Sequence, residues 1–382
     1  MLKINRAFVK GVELAPNCEG LHYFVQKAIE LEHATIPPYL TAMFSLKRGT
    51  NEKIREVIHS VVIEEMLHMC IASNLLNALG GAPIINKKGF VPKYPGPLPL
   101  NIGSKEEDEG IVVIGKKPAQ KDAFIVNLEQ YSLKQVRSTF MRIEQPETEI
   151  PIEDKNFELF PGDVPLLAAA EVEEDFATIG EFYAAISKRI EDLYGPDKRL
   201  PGDPARQVTS PFYKPDELFP ITHCKHAIAA IDVIVEQGEG TSTSPFDTEG
   251  ELSHFYKFME LSVQRTIHQG PGEDEYYFGQ PSIPFNPKGV WNITPNVKAA
   301  DLPEGTAARI NLNEFNSTYT RLLNGLHETF NGQPDYLQHT FGLMYDVKLN
   351  GEKLCATPYP GKANQYVGPS FEFVKLPVQE VL

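Results

Sequence analysis

"VVIEEMLHMC", residues 61–70, sets two adjacent carboxylates and a histidine inside an apolar helical pattern. Steps of alternating three and four residues from Ile54 pass through Ile58, Val61, Glu65, His68, Ala72, Leu75 and Leu79. Such steps stay on one helix face, and only Glu65 and His68 on that face are polar. An isolated buried carboxylate is costly unless it is paired, hydrogen-bonded or bound to metal. An inward-facing Glu-x-x-His pair, one turn apart, is the pattern of carboxylate metal sites in helical bundles. The bland alternative is a buried hydrogen-bonded pair.

The preceding segment sharpens the choice. The spacing predicts helices over about 20–46 and 52–79, separated by the turn signal "KRGTNE" (47–52) and stopped at Gly80-Gly81. The first helix carries the stripe Val25, Ala28, Glu32, Ile36, Tyr39 or Leu40, and Met43, again with one acid among apolar residues. Glu30 lies off that stripe and reads as solvated, leaving it a weaker metal alternate. Folding the hairpin about residues 49–50 brings Glu32, Glu65 and His68 to similar depth at ~1.5 Å per residue. Two acids and a histidine at one level favour coordinated metal over unrelated burials.

"AIELEHATIPPYL" (28–40) also contains Pro37-Pro38, which withdraw N–H donors from the carbonyls of His33 and Ala34. The stripe continues past them, so a kinked helix is expected, with Pro37, Pro38 and Tyr39 shaping a substrate pocket beside Glu32. The competing reading restarts the helix at Pro37.

Helical pattern returns over about 166–194 and 221–268, with inserted segments at 82–165 and 195–220. The 82–165 insertion reads as strands and loops ("GIVVIG", "AFIVNL") with one helix, "SLKQVRSTFMRIEQ". Glu181 lies about 14 residues before Gly195, and Glu236 and Glu239 lie about 16 to 19 after Pro220, again at similar depth. The stripe Ile228, Ile231, Val235 leads to Glu239 rather than Glu236, which remains a weaker alternate. Glu181 only flanks its helix's apolar stripe of Phe176, Ile179, Tyr183, Ile186 and Ile190. His254, with Phe258 and Leu261 on its face, would complete a second set if the fourth helix is interrupted before it. Residues 270–382 read as a strand and loop segment, a long helix over about 311–346 and an extended tail.

Paired hairpins with Glu, then Glu-x-x-His, then a repeat resemble the ferritin-like di-metal carboxylate superfamily. Within it the chain is similar to the ferritin-like family of the violacein-pathway iminophenylpyruvate dimer synthase. The matching stretches are "ELEHATIPPYLTAMFSL", "VIEEMLHMCIASNLLNALGGAP", "TIGEFYAAI", "AAIDVIVEQGEGT", "SHFYKF" and "VGPSFEFV". The resemblance implies a mainly α fold: one ferritin-like four-helix bundle domain with β- and loop-rich insertions and an additional long C-terminal helix. It implies Glu32, Glu65, His68, Glu181, Glu239 and His254 as metal ligands. The dimer synthase is much longer, and this chain matches its ferritin-like portion.

Four acids and two histidines suit two transition-metal ions, iron foremost, with manganese or zinc as alternatives. The expected function is a di-iron oxidoreductase of specialised metabolism acting on a small organic molecule, with O₂ as co-substrate. The alternatives are imine or keto-acid coupling, and non-catalytic metal binding or storage. Extended insertions argue against the compact packing of a storage cage.

The composition narrows the partners. Of the 382 residues 42% are apolar, 23% are charged, and the net charge is −15. An acidic chain of this kind is a poor binder of nucleic acid or anionic membrane. The first residues lack the pattern of a secretory signal. The cysteines at 18, 70, 224 and 355 form no CxxC pair, which fits free thiols in a reducing cytoplasm. A homo-oligomer is compatible with these features.

Overall fold

The structure is a computed structural model that describes residues 4–100, 124–146, 148–154, 176–209, 211–241, 243–272 and 274–376. "GIVVIG" lies outside these residues, as does the stretch 155–175 that contains the start of the third predicted helix.

A two-residue strand β1 (Ile4–Asn5) leads into α1 (Arg6–Glu13). The long α2 (Cys18–Ser45) begins where the Asn17 side chain accepts the Gly20 N–H at 3.0 Å. Its partner α3 (Glu52–Ala78) follows a turn in which Gly49 and Asn51 have φ of 79° and 55°. Gly80, with φ 83°, ends α3, a position that a side chain would strain. The loop at 289–291 clamps the α2–α3 turn: Lys47 N–H donates to Gly289 O at 2.8 Å and Trp291 N–H to Ser45 O at 2.7 Å.

Helix α2 passes through Pro37 and Pro38 without ending. Tyr94 satisfies one freed carbonyl, donating its hydroxyl to Ala34 O at 2.7 Å. Burying this polar group therefore leaves no acceptor stranded.

The inserted segment supplies α4 (Leu133–Gln135), a π-helical turn (Val136–Phe140) and α5 (Met141–Ile143). Strand β2 (Phe176–Ala177) pairs antiparallel with β1. Then come α6 (Ile179–Tyr194) and α7 (Cys224–Glu239), a second hairpin. The four-helix layer is α2, α3, α6 and α7, with α3 against α7 and α2 against α6. This is the mainly α four-helix bundle that the resemblance implied. The fourth helical stretch is interrupted: α7 stops at Gly240 (φ 84°), and α8 (His254–Val263) resumes after a loop. Helix α8 rests on α3, α7 and the π turn.

Two differences from the expected elements have local causes. Residues 265–269 are not helix but strand β3 (Arg265–Gln269), paired antiparallel with β4 (Tyr276–Pro281). The reversal occurs at Gln264, whose φ of 60° ends α8. After β5 (Ile293–Thr294), the C-terminal helical segment is a hairpin of two helices, α9 (Ala307–Phe330) and α10 (Leu337–Cys355). Gly332, with φ 109°, and Pro334 break the continuous helix expected over 311–346. The tail contributes β6 (Tyr366–Val367), parallel to β5.

Candidate metal centre

Helices α2 and α3 bring Glu32, Glu65 and His68 together, and the first residue of α8 adds His254. All four are buried, His254 completely. Glu144, immediately after α5, closes the ring. His254 Nδ1 lies 2.9 Å from Glu65 Oε1 and 3.4 Å from Glu144 Oε2. Neither contact has hydrogen-bond geometry, so Nδ1 is a buried lone donor atom facing two carboxylates. His68 Nδ1 lies 3.4 Å from Glu32 Oε2. The two imidazoles face each other with centroids 5.3 Å apart, inclined by 26°. Donor atoms of Glu65, His68 and His254 all fall within 4.8 Å of one another.

Surrounding hydroxyls fix the carboxylates. Thr35 Oγ1 donates to Glu65 Oε2 at 2.8 Å. Tyr183 donates to Glu32, and Tyr39 to Glu144, both in short contacts. The histidines are held from behind. His254 Nε2 lies 2.9 Å from Glu64 Oε2, and His68 Nε2 lies 3.0 Å from Gln237 Oε1.

The charges are in conflict without a cation. Burial, with Glu144 nearby, pushes the Glu65 carboxyl up to about 7 despite the neighbouring His254. Burial pulls His254 down, but Glu144, Glu64 and Glu65 outweigh it and hold it well above the ordinary imidazole value. His68 is likewise raised, because Glu32 outweighs its burial. Burial would raise Glu64, yet His254 and Lys257 hold it at about 2. Several carboxylates crowded around two imidazoles, with one imidazole nitrogen unbonded, fit a metal ion. The donors are hard oxygens and borderline nitrogens, suited to first-row transition metals. The cluster borders a cavity of about 50 Å³, whose apolar wall includes Leu31, Ile143, Ile179 and Ile234.

A model of the family described as Ferritin-like matches residues 25–263. The chain belongs to the ferritin-like family. It is similar to the dichlorochromopyrrolate synthase of Lentzea aerocolonigenes, 23% identical over 349 residues. That match takes in 86% of this chain but 30% of the synthase, so the chain spans under a third of the relative's length. Among solved structures, a ferritin-like protein from Caulobacter vibrioides superposes with a TM-score of 0.52 at 21% identity. The match covers 88% of this chain and 96% of that one, and this likeness speaks for the fold.

Within this ferritin-like site, Glu32, Glu65, His68 and His254 meet. Glu239 lines the cavity but is only half-buried. Its Oε1 accepts the Gly180 N–H at 2.9 Å in the first turn of α6. A Cβ on Gly180 would come within 2.9 Å of that carboxylate. Glu181 is a correction to the ligand set. It closes a capping box with Thr178, accepting the Thr178 N–H at 2.7 Å, and pairs with Arg6 at 3.1 Å. The face of α6 turned inward is Phe182, Tyr183, Ile186 and Ile190, so α6 contributes Tyr183 where an acid was expected. The alternates do not join either: Glu30 pairs with Lys27 at 3.0 Å, and Glu236 accepts from Thr248 at 2.8 Å. Pro37 and Pro38 are absent from the cavity wall, against the pocket-shaping role expected of them. Tyr39 acts on the site through Glu144.

Glu144, Glu64, Gln237 and Tyr183 are site residues that the spacing argument missed. For Glu144 a signal existed, since Val136, Phe140 and Glu144 fall at four-residue intervals with the first two buried.

Proposed function

We propose that this ferritin-like chain is a metal-dependent enzyme acting on a small organic molecule, with iron as the foremost metal and O₂ as oxidant. The observation that carries this reading is His254 Nδ1, buried and unbonded between Glu65 and Glu144. A bound transition ion would supply Lewis acidity and, if redox-active, electron transfer. Glu32, Glu65, Glu144, His68 and His254 would hold up to two such ions. Tyr183, Tyr39 and Thr35 orient their carboxylates by hydrogen bonds, and the apolar wall keeps bulk water away. The small cavity has room for ions or a few water-sized groups, far below the roughly 300 Å³ of a typical ligand pocket. A larger groove of about 380 Å³ runs between α6 and α7. Gly180 and Val235 line both spaces. Substrate would lie in that groove. No partner of nucleic acid or membrane type is proposed, and a cytoplasmic setting fits the cysteine usage.

A second reading, coupling of imines or keto acids, is favoured by the similarity to a relative named for synthesising dichlorochromopyrrolate. There the ion would hold or polarise substrate without consuming O₂. Anaerobic loading with Fe(II), followed by exposure to O₂, separates the two. Uptake of O₂ with a transient visible absorption is expected for the oxidase. Bound iron with no O₂ uptake overturns it in favour of coupling, and no bound metal overturns both.

A further inference from the structure

Both histidines turn the same nitrogen to the cavity, but what stands behind them differs. Behind His254 is an ion pair. Glu64 on α3 sits 2.9 Å from Nε2, while Lys257, one turn along α8 from His254, lies 2.6 Å from both Glu64 oxygens. A carboxylate only accepts, so Nε2 carries the proton, and with an ion in the cavity Nδ1 would offer its lone pair inward. Behind His68 is a neutral amide. Gln237 Oε1 accepts from Nε2 at 3.0 Å, and Gln237 Nε2 donates to Glu217 Oε1 at 3.2 Å, which fixes which end of the amide faces the ring. With an ion present, His68 Nδ1 would thus also be the inward lone pair.

A negatively charged acceptor makes an imidazole a stronger donor to a metal than a neutral one does. Glu65 and Glu144 lie within 3.4 Å of His254 Nδ1, whereas Glu32 is the carboxylate at 3.4 Å from His68 Nδ1. Glu65 is within reach of both imidazoles, so the ion-pair backing is what favours the His254 side.

Resting on the metal reading above, we propose that the centre is two unequal half-sites: a tight one at His254 backed by Glu64 and Lys257, and a weaker one at His68 backed by Gln237. The half-sites fill in that order. Glu64 and Gln237 are positioning residues that set the difference.

The test is titration of metal-free protein with Co(II), followed by visible absorption and by calorimetry. Two steps separated by at least about tenfold are expected. His254→Ala should remove the tight step and His68→Ala the weak one. Glu64→Gln should weaken the tight step by about 10- to 100-fold and leave the weak step in place. Because that variant leaves Lys257 facing an amide, the Glu64→Gln/Lys257→Met pair repeats the test without a stranded charge. Gln237→Glu/Glu217→Gln should tighten the weak step without touching the other. Thermal unfolding of the metal-free variants separates these step-selective effects from a general loss of structure. Two equal steps, or a Glu64 variant that weakens both steps alike, would overturn the inequality while leaving the metal reading standing. A wild-type protein that takes up no Co(II) would overturn both.

Discussion

Glu65 bears the sharpest electrostatic conflict in the cluster. Its carboxyl is held up to about 7 by burial and Glu144, so at neutral pH it needs either a proton or a cation. Glu65→Ala should strip most of the transition metal from protein grown with iron, and His68→Ala the more weakly held part, both with helical content unchanged. Elemental analysis and circular dichroism check this. Replacing the pair with apolar residues should leave the metal-free protein at least as stable, since an uncompensated buried charge disappears. Glu260 on α8 poses a related problem away from the ligands. It is almost wholly buried, and its Oε1 accepts the Ile267 N–H at 2.6 Å. Burial raises its carboxyl to about 7, against the partly opposing Ile267 N–H and Lys257. The folded protein therefore binds the proton more tightly than the unfolded chain does. That contribution is present below about pH 4.5 and is lost as pH rises through about 7. Glu260→Gln keeps the acceptor and removes the titration. It should gain on the wild type by on the order of 2 kcal/mol between pH 5 and pH 8, measured by denaturant unfolding at each pH.

At the scale of elements, helix α2 shows how two prolines fit inside a bundle. Pro38 cannot bond Ala34 O, and the Tyr94 hydroxyl takes that place. Tyr94→Phe should destabilise the protein by about 1–3 kcal/mol by leaving a buried carbonyl unpaired. Made in a Pro38→Ala background, where a backbone N–H is available again, the same change should cost clearly less. A double-mutant cycle by urea unfolding reads the difference. The helices α2 and α3 were legible because the turn signal between them, the glycine stop and their apolar stripes all agree. Glu144 had a readable four-residue spacing, but the π turn Val136–Phe140 puts an extra residue into the helical repeat just before it and blurs which way it faces. Glu181 misled because depth along a hairpin says nothing about which way a residue faces. Its sequence context, Thr178-x-x-Glu181, is a readable capping box and accounts for its outward role. Gln237 and Glu64 were illegible for another reason: their role depends on which imidazole nitrogen each meets across helices.

At the scale of the whole molecule, the C-terminal hairpin is locked onto the bundle from two sides. His33 Nε2 on α2 meets the Tyr319 hydroxyl of α9 at 2.6 Å. Gly351 of α10 lies so close to Phe44 that an added Cβ would sit 2.3 Å from its ring. Gly351→Ala should therefore lower the unfolding midpoint, costing about 1–3 kcal/mol, and Phe44→Leu in the same chain should recover part of it. A combined variant no more stable than Gly351→Ala alone would show that the close approach is not what the glycine serves. The wall shared by the small cavity and the α6–α7 groove has a consequence for selectivity. Where the two spaces adjoin, the lining they share is one glycine and one valine, Gly180 and Val235, so under the proposed reading a molecule lying in the groove would reach the buried ligands only past these two residues, with a narrow end. Reactivity would then be decided by reach rather than by the bulk of the molecule. Compounds of quite different length would be altered at the same terminal position, and those lacking a slender terminus would be held without being changed.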